Sequence, residues 1–254
     1  MLAPRVAKTI TVIIPTLNEE QRIGTTLEHT RPLGFDAIVV VDGGSSDRTC
    51  AIVTSMLTTG SAPSASPSPP GLQSSVFSPI TWLSSAPGRA RQLNAGAASS
   101  PTDILLFLHA DTELPTQARA LILQSLDDGD CVGGRFDVRF DRETRSAKIV
   151  AWFMNRRSRL TGISTGDQAI FVRRRVFEEL GGFAEIPLME DIEFTRRLKR
   201  AGKIAALTEP VVTSYRRWET NGPIRTILLM WLLRFLYWVG VSPAALSKVY
   251  RTVR

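Results

Sequence analysis

Short, β-branched apolar segments recur through the first half of the chain, and this recurrence most constrains the fold. Residues Thr9–Pro15 are almost entirely β-branched, which is typical of a strand covered on both faces. Residues 35–44 form a second such segment, and residues 80–84 and 103–111 predict two more. Helix-like segments separate them, which predicts βαβ units and a mostly parallel α/β sheet. Ligands of such sheets bind beyond the carboxyl ends of the strands.

The first two strands are each followed by a predicted helix. Asn18 is the expected cap of a helix at residues 18–30, and Ser45 or Ser46 is the expected cap of a helix at residues 45–57. The second half changes character, because residues 131–140 alternate like a strand with one exposed face. The other predicted elements are a strand at residues 166–174 and helices at residues 146–160, 175–182 and 189–202.

Two segments depart from this pattern and set the expected domain boundaries. Ser, Pro and Gly occupy 14 of the 20 positions at residues 60–79, which predicts a flexible insertion. An apolar run at residues 227–241 is interrupted by Arg234 and is shorter than the ~20 residues that cross a bilayer. We therefore expect one domain at residues 1–221 and an apolar, basic C-terminal helical segment at residues 222–254.

The net charge of +7 is unevenly distributed along the chain. Residues 1–130 carry a net charge of −4 and residues 131–254 a net charge of +11. A basic half attracts phosphate, anionic lipid or nucleic acid, although an arginine-rich composition alone would give the same excess. The arginines are scattered over several predicted elements, which disfavours nucleic acid. The C-terminal segment predicts peripheral membrane contact, or else a helix packed on the domain or in a homodimer interface.

The cysteines and the N-terminus bear on the cellular compartment. Cys50 and Cys131 lie far apart in the sequence and match no disulfide framework or metal-binding spacing. The first apolar run is too short for a signal-peptide core and ends at Pro15. We expect a cytoplasmic protein, with the inner face of the plasma membrane as the place of any membrane contact.

Acidic residues follow three of the predicted strands in short motifs. "PTLNEE" follows the first strand, "VVDGGSSDRT" the second and "FLHADTELP" the fourth. An Asp at a strand end, followed by glycines, can hydrogen-bond a base or ribose. Imidazole and carboxylate two residues apart in a turn can hold a divalent cation against a diphosphate. The same residue types also favour turns and helix starts for structural reasons alone.

These motifs, with "GRARQLNAGA" and "GGFAEIPLMEDIEFTRRLKRAG" in the same order, carry a resemblance to a known family. Between Thr9 and Trp218 the chain resembles the family 2 glycosyltransferases. It is most similar to a small, non-processive bacterial branch with a His-Ala-Asp triplet. The resemblance implies the GT-A fold, in which a mostly parallel nucleotide-binding sheet is flanked by helices. An acceptor-binding second half and a C-terminal apolar helix would complete it.

The resemblance implies that a nucleotide-diphosphate sugar binds along the carboxyl ends of the first strands. It assigns Asp42 to the base, which is uracil in most members, and Arg89 or Arg91 to the diphosphate. The complete donor set that it implies is Pro15, Thr16, Asn18, Glu19, Asp42, Gly43, Ser45, Arg89, Arg91 and Asn94.

The metal, the base and the acceptor site follow from the same resemblance. Asp111 matches the second acid of the family's Asp-x-Asp motif and implies Mn²⁺ or Mg²⁺. His109 replaces the first acid, and histidine ligates Mn²⁺ readily and Mg²⁺ poorly. Asp191, in "LMEDIEF", matches the catalytic base. The acceptor-binding residues that the resemblance implies are Gly166, Asp167, Gln168, Glu190 and Trp218.

The predicted function is therefore a metal-dependent, inverting transfer of a sugar from a UDP-linked donor to an acceptor hydroxyl, on a lipid-like acceptor. One alternative is a nucleotidyltransferase acting on sugar phosphates, although such an enzyme is expected to carry a basic, glycine-rich loop after the first strand. Another is a non-catalytic membrane-associated adaptor, which has no reason to hold Asp42, Asp111 and Asp191 together. The sequence contains neither a G-x-G-x-x-G motif nor a P-loop, which disfavours a dinucleotide-dependent dehydrogenase and a P-loop enzyme.

Overall fold

The computed structural model describes residues 8–58 and 78–253. Most of the insertion predicted at residues 60–79 therefore lies outside the described residues. The described chain forms an eight-stranded sheet with helices packed on both faces.

The sheet joins a parallel half to a mixed half. Its order is β3-β2-β1-β4-β7-β6-β8-β5; the first four strands of this order are parallel, and β7 is antiparallel to both β4 and β6. β8 runs parallel to β6, and the short β5 pairs antiparallel with β8. The strands are β1 (Ile10–Thr16), β2 (Ala37–Asp42), β3 (Ile80–Ser84), β4 (Ile104–Phe107), β5 (Thr112–Glu113), β6 (Cys131–Phe140), β7 (Ile170–Arg173) and β8 (Lys203–Thr213).

Ten α-helices lie in the described residues, with short 3₁₀ turns at Arg31–Leu33 and Gly166–Gln168. They are α1 (Ile23–Thr30), α2 (Thr49–Thr58), α3 (Arg89–Ala98), α4 (Ala118–Ser125), α5 (Arg145–Thr161), α6 (Arg174–Glu179), α7 (Glu190–Ala201), α8 (Arg216–Asn221), α9 (Pro223–Trp238) and α10 (Pro243–Val253).

Strand β1 shows why the predicted parallel sheet forms. Its side chains alternate between two fully buried clusters, as the period of a strand requires. Ile10, Val12 and Ile14 pack in the cluster that includes α1, and Ile13 packs in the cluster that includes Leu93 of α3. Both faces of the strand are therefore covered, which confirms the prediction made from its β-branched sequence.

The predicted helix caps are wrong. Helix α1 begins at Ile23, and Asn18 lies five residues earlier with a positive φ of 55°. Asp47, rather than Ser45 or Ser46, accepts the backbone N–H of Thr49 at 3.0 Å at the start of α2. Asn18 and the two serines instead bind one another across the loops that follow β1 and β2, which removes them from the helix ends.

The prediction that β6 has one exposed face is also wrong. Arg135 is only 2% exposed and forms an ion pair with Asp137. Helix α5 covers this face, because Nη2 of Arg135 donates to the carbonyl of Asn155 at 3.4 Å. Arg159 of the same helix donates from Nη2 to Oδ2 of Asp137 at 2.6 Å. The polar residues of β6 are thus satisfied inside the protein instead of by water.

The C-terminal apolar segment forms α9 and α10, which pack on the domain. Leu233 is fully buried in a cluster with Met189 and Leu246. The opposite side of α9 leaves large apolar side chains exposed, with Trp238 at 79%. Within the described residues, we find no helix with the length and apolar character needed to span a bilayer.

We predict that Gly96→Ala destabilises the protein. A Cβ at Gly96 in α3 would lie 2.5 Å from Cγ2 of Ile13 and 3.0 Å from Cγ2 of Val41, and both side chains are β-branched and stiff. Overpacking of this kind costs about 1–3 kcal/mol. Gly24→Ala in α1 is the matched control, because its Cβ meets only Cγ2 of Ile52 at 3.5 Å. Thermal unfolding should show a lower Tm for Gly96→Ala and an equal or higher Tm for Gly24→Ala.

Candidate active site

A cleft of about 1230 Å³ opens at the carboxyl ends of β1 and β4. Residues 15–17, 87–92 and 109–111 line what we call the sheet side of the cleft. Residues of α5, α8, α9 and α10 also line the cleft, and we call them its helix side. The cleft therefore lies where ligands of open α/β sheets bind.

Hydrogen bonds lock together the loops that follow β1 and β2. The backbone N–H of Asn18 donates to Oγ of Ser45 at 2.9 Å, and Oδ1 of Asn18 accepts the N–H of Ser46 at 2.8 Å. Beneath them, buried Gln92 donates to the carbonyls of Thr16 at 2.7 Å and Val41 at 2.9 Å. Helix α3 is thereby fixed to the ends of both strands.

Asp42 organises its own loop. Its Oδ2 accepts the backbone N–H groups of Gly44 and Ser45, both at 2.9 Å, and its Oδ1 accepts the hydroxyl of Ser45 at 2.5 Å. The residue is only 6% exposed and is not among those that line the cleft. Its carboxylate shapes the turn beside the cleft.

Asp111 presents an unpaired carboxylate to the cleft among the described residues. It lines the cleft, and its carboxylate makes no hydrogen bond or ion pair with the part of the chain that the structure describes. Carboxylate oxygens suit Mg²⁺ and Mn²⁺, which commonly take one or two protein ligands together with phosphate oxygens and water. No group of three or more His, Cys, Asp or Glu side chains within residues 8–58 and 78–253 could hold a metal ion alone.

His109 is held by a carboxylate. Its Nδ1 lies 3.1 Å from Oδ1 of Asp167, while its Nε2 is buried and has no hydrogen-bond partner in the described chain. Histidines that ligate metals often donate their other ring N–H to a carboxylate in this way. The pair thus fits a ligand whose Nε2 carries a free lone pair.

Gly166 brings the elements of the site together. Its N–H donates to Oδ2 of Asp191 at 2.9 Å, which joins the 3₁₀ turn to the start of α7. A Cβ at this position would collide with Nη2 of Arg89 and Nε2 of His109. A side chain at this position would therefore displace the side chains of Arg89 and His109 from the turn.

The arginines at the start of α3 are paired with acids. Nε of Arg89 lies 3.5 Å from Oε1 of Glu190, and Nε of Arg91 lies 2.9 Å from Oε2 of Glu185. Burial raises the pKa of the Glu190 carboxyl, although the positive charge of Arg89 opposes that rise. Both arginines line the cleft and present positive charge on its sheet side.

The cleft includes about half of the predicted site residues. Those that line it are Pro15, Thr16, Glu19, Arg89, Arg91, His109, Asp111, Asp167 and Trp218. Asn18, Asp42, Gly43, Ser45, Asn94, Gly166, Gln168, Glu190 and Asp191 lie outside this lining and support it.

Two of these residues have clear structural roles. Asn94 donates to the carbonyl of Phe183 at 2.8 Å and accepts its N–H at 2.9 Å, which ties α3 to the loop before α7. Gln168 is fully buried and donates to Oγ of Ser158 at 2.9 Å.

Aromatic and basic side chains of the helix side were not predicted, apart from Trp218. Trp218 stacks on Tyr215 at a ring-centroid distance of 6.3 Å. Arg157, Trp231 and Arg234 also line the cleft. Their spacing in the sequence could have identified them. Val150, Met154 and Arg157 lie on one face of α5, and Ile227, Trp231 and Arg234 lie on one face of α9.

Three non-glycine residues with positive φ border the site: Asn18 at 55°, Ala169 at 46° and Met189 at 71°. Each lies in a segment that carries a predicted site residue. Backbone of this kind is costly and tends to cluster where a protein positions functional groups.

Several solved structures share the fold. TarS residues 1–349 of S. aureus matches with a TM-score of 0.61 and 16% identity, over 86% of this chain and 64% of that one. The mannosyltransferase PcManGT of Pyrobaculum calidifontis, in complex with GDP-Man and Mn²⁺, matches with a TM-score of 0.60 and 23% identity, over 83% and 57%. The chain thus spans about three fifths of the length of these two.

Glucosyl-3-phosphoglycerate synthase of Mycobacterium tuberculosis, in complex with Mn²⁺, UDP and glucosyl-3-phosphoglycerate, also matches. Its TM-score is 0.56 at 19% identity, over 90% of this chain and 80% of that one. These similarities confirm the predicted GT-A fold.

Sequence comparison identifies the family. A segment of 43 residues is 49% identical to the uncharacterized protein MJ1222 of Methanocaldococcus jannaschii, over 17% of this chain and 18% of that protein. The family model described as glycosyl transferase family 2 matches residues 11–181, which is more than half of the chain. The chain belongs to glycosyl transferase family 2, as its motifs predict.

Proposed function

We propose that this protein is a metal-dependent, inverting glycosyltransferase that moves a sugar from a nucleoside-diphosphate sugar to an acceptor hydroxyl. The observation that carries the proposal is the cleft itself. Asp111, whose carboxylate is unpaired among the described residues, lines this cleft together with Arg89 and Arg91, and aromatic side chains of α8 and α9 line it as well, which supports the proposal. Family membership favours sugar transfer over the nucleotidyltransferase and the non-catalytic adaptor.

The donor lies along the sheet side in this proposal. Pro15, Thr16 and Glu19 would flank the nucleotide, the loop organised by Asp42 would border its base, and Arg89 or Arg91 would neutralise the diphosphate. We propose uracil as the base. TarS is described in complex with UDP-GlcNAc and the Pyrobaculum enzyme with GDP-Man, so the fold accepts either nucleotide.

Asp191 is the proposed general base. Its Oδ2 accepts the N–H of Gly166 and its Oδ1 accepts the N–H of Ile192 at 2.7 Å, which fixes the orientation of the carboxylate. In an inverting step it would take the proton of the acceptor hydroxyl. The acceptor oxygen then forms a bond to the anomeric carbon as the bond from that carbon to the diphosphate oxygen breaks. Gly166, Asp167, Gln168, Glu190 and Trp218 are the proposed acceptor-side residues.

Asp191→Asn should lower kcat by about 10²-fold or more, because the amide cannot accept the proton. UDP affinity should change little, since the nucleotide lies on the sheet side. The matched control is Glu193→Gln. Glu193 is an acid in the same helix turn, and it forms an ion pair with Arg197. UDP-sugar turnover measures the difference. Near-normal turnover in Asp191→Asn, with loss in Asp167→Asn, would assign the base to Asp167.

A divalent cation is the proposed cofactor. Asp111 and Nε2 of His109 are the residues that would hold it, and Asp167 would fix the tautomer of His109 that leaves Nε2 unprotonated. When bound, such an ion neutralises negative charge on the diphosphate. The Pyrobaculum and Mycobacterium structures contain Mn²⁺, and we propose Mn²⁺ or Mg²⁺ here.

Asp111→Ala should abolish the Mn²⁺-dependent part of UDP binding, because it removes the carboxylate ligand. His109→Ala should keep part of this dependence and shift the preference from Mn²⁺ towards Mg²⁺. Glu113→Gln is the control, since this nearby acid lies on β5 and is not among the residues that line the cleft. Calorimetry of UDP with each metal decides the matter. Unchanged cation dependence in Asp111→Ala contradicts the site.

We also propose that the exposed side of α9 contacts an anionic membrane, at the inner face of the plasma membrane, and that the acceptor is lipid-linked. Leu228, Trp231, Leu232, Phe235 and Trp238 are all at least half exposed on this helix. Leu228 and Trp231 also line the cleft, so the apolar surface continues into the helix side. The net charge of +11 in the second half supports an anionic surface, at about 1 kcal/mol per nearby Lys or Arg.

The double variant Phe235→Glu/Trp238→Glu should lose binding to vesicles of phosphatidylcholine and phosphatidylglycerol at low salt. The two side chains are 56% and 79% exposed and are not among the cleft residues. Leu160→Glu on α5 is the control, because this residue is 74% exposed. Co-sedimentation is the measurement. A wild-type protein that stays in the supernatant as a dimer would make α9 a subunit interface instead.

A further inference from the structure

Five arginines of the described chain line the cleft, and they differ in how they are paired. Arg89 and Arg91 form ion pairs with Glu190 and Glu185, and Arg216 donates to Oε1 of Gln21 at 3.2 Å. The guanidinium groups of Arg157 and Arg234 donate no hydrogen bond and form no close ion pair with residues 8–58 or 78–253. Both belong to the helix side.

Arg157 is placed unusually for an arginine without a partner. Its Nε and Nη2 are buried and have no acceptor among the described residues, although it lines the cleft from α5. Burial lowers the pKa of its guanidinium, and the charges of Asp191 and Asp167 oppose that change. Buried donors of a charged group are costly to leave unfilled. The Arg157 guanidinium therefore has unused hydrogen-bonding capacity close to the proposed base.

Arg234 has a comparable position on α9. It is half-buried and recurs with Ile227 and Trp231 at the spacing of one helix face, and all three line the cleft. Its neighbours on that face are apolar, so the charge has no role in packing the helix. It adds a second positive charge to the same wall.

We propose that the acceptor carries an acidic group, a phosphate or a carboxylate, near the hydroxyl that it presents to Asp191, and that Arg157 binds this group. The inference rests on the proposed function and specifies its acceptor class. The guanidinium fork matches two oxygens of a phosphate or carboxylate. Arg234 supplies further positive charge, and the apolar residues of the helix side receive an uncharged remainder of the acceptor.

The donor diphosphate does not account for these two arginines. In the proposed function Asp111, Arg89 and Arg91 would meet that diphosphate, whereas Arg157 and Arg234 belong to α5 and α9. The carboxylates of Asp191 and Asp167 supply nearby negative charge, but a neutral acceptor would leave the buried Nε and Nη2 of Arg157 without a hydrogen-bond acceptor among the described residues. An acidic acceptor removes this cost.

Calorimetry with the diphosphate site already filled tests the inference. The full-length protein is saturated with UDP and Mn²⁺ and then titrated with glycerol 3-phosphate, glycerate or glycerol. We expect wild-type protein to bind at least one of the two acids and to bind glycerol far more weakly. Arg157→Gln should weaken binding of the acid by about tenfold or more, and Arg157→Lys, which keeps the charge without the fork, by less.

Arg156→Gln is the matched control, because Arg156 is exposed on the same helix and lies over the ring of Trp152 at 5.8 Å. It should leave binding of the acids unchanged. A second arm replaces the small acids with phosphatidylcholine vesicles that contain phosphatidic acid. Arg157-dependent binding in the vesicle arm alone identifies a lipid headgroup, and dependence in the first arm identifies a soluble acid; either result supports the inference.

Equal binding of the acids and glycerol, or binding unaffected by Arg157→Gln in both arms, overturns the inference. Absence of acid binding by wild-type protein in both arms overturns it as well. The initial UDP titration separates this failure from failure of the proposed function. If wild-type protein does not bind UDP, both proposals fail, whereas UDP binding without selection for an acid defeats only the acceptor assignment. UDP affinity and Tm of Arg157→Lys show whether the altered site is still folded.

Discussion

The packing of Arg89, His109 and Asp191 around the 3₁₀ turn at Gly166 is the constraint on which the site depends. The space that a Cβ would occupy is taken by Nη2 of Arg89 and Nε2 of His109, and the N–H of Gly166 holds the carboxylate of Asp191. One backbone position thus joins α3, the end of β4 and α7. These elements come from both halves of the sheet, so the turn at Gly166 joins cleft residues of the parallel half to Asp191.

The charged side chains around Gly166 divide into those that are paired with another residue and those that are not. Arg89 is paired with Glu190, Arg91 with Glu185 and His109 with Asp167. These pairs hold the walls of the cleft without external ligands. Asp111 and Arg157 make no hydrogen bonds within the described residues, and they have opposite charges. A cation at the first and an anion at the second would complete the electrostatics of the cleft, and the two proposals about cofactor and acceptor follow from this one pattern.

The parallel half of the sheet could be predicted from the sequence, whereas the contacts between the loops of that half could not. β1 and β2 were predictable because strands buried on both faces need continuous β-branched residues. The role of Asn18 was not predictable, because its side-chain oxygen accepts the N–H of Ser46 from the loop after β2 instead of capping a helix. Arg135 gave β6 a false exposed face, since its ion pair with Asp137 allows a charged residue to be buried.

Strand β8 was not predicted from the sequence, because Pro210 interrupts the residue pattern that is typical of a strand.

The same limit applies to the site. Asp111 and His109 were predictable as cleft residues because a short motif after a strand places them at a known edge of the sheet. Arg157 was not predictable as a cleft residue, because an arginine on an amphipathic helix normally lies on the solvent-exposed face. Its position in the cleft depends on α5 packing over β6, and that contact is made through Asn155 and Val138. Tertiary packing, rather than local sequence, turns this charge inward.

The two walls of the cleft are built in different ways, and this has a consequence for specificity. The sheet side consists of strand ends and of α3, whose Gln92 is bonded to the carbonyls of Thr16 and Val41, so changes there disturb the core. The helix side consists of side chains projecting from α5, α8, α9 and α10. Trp231 is exposed and Arg234 is half-buried, so they can change without disturbing a strand. The buried residues of α9 are Thr226 and Leu233. In the proposed function, donor recognition is therefore tied to the fold, whereas acceptor recognition can diverge by substitution on these helices.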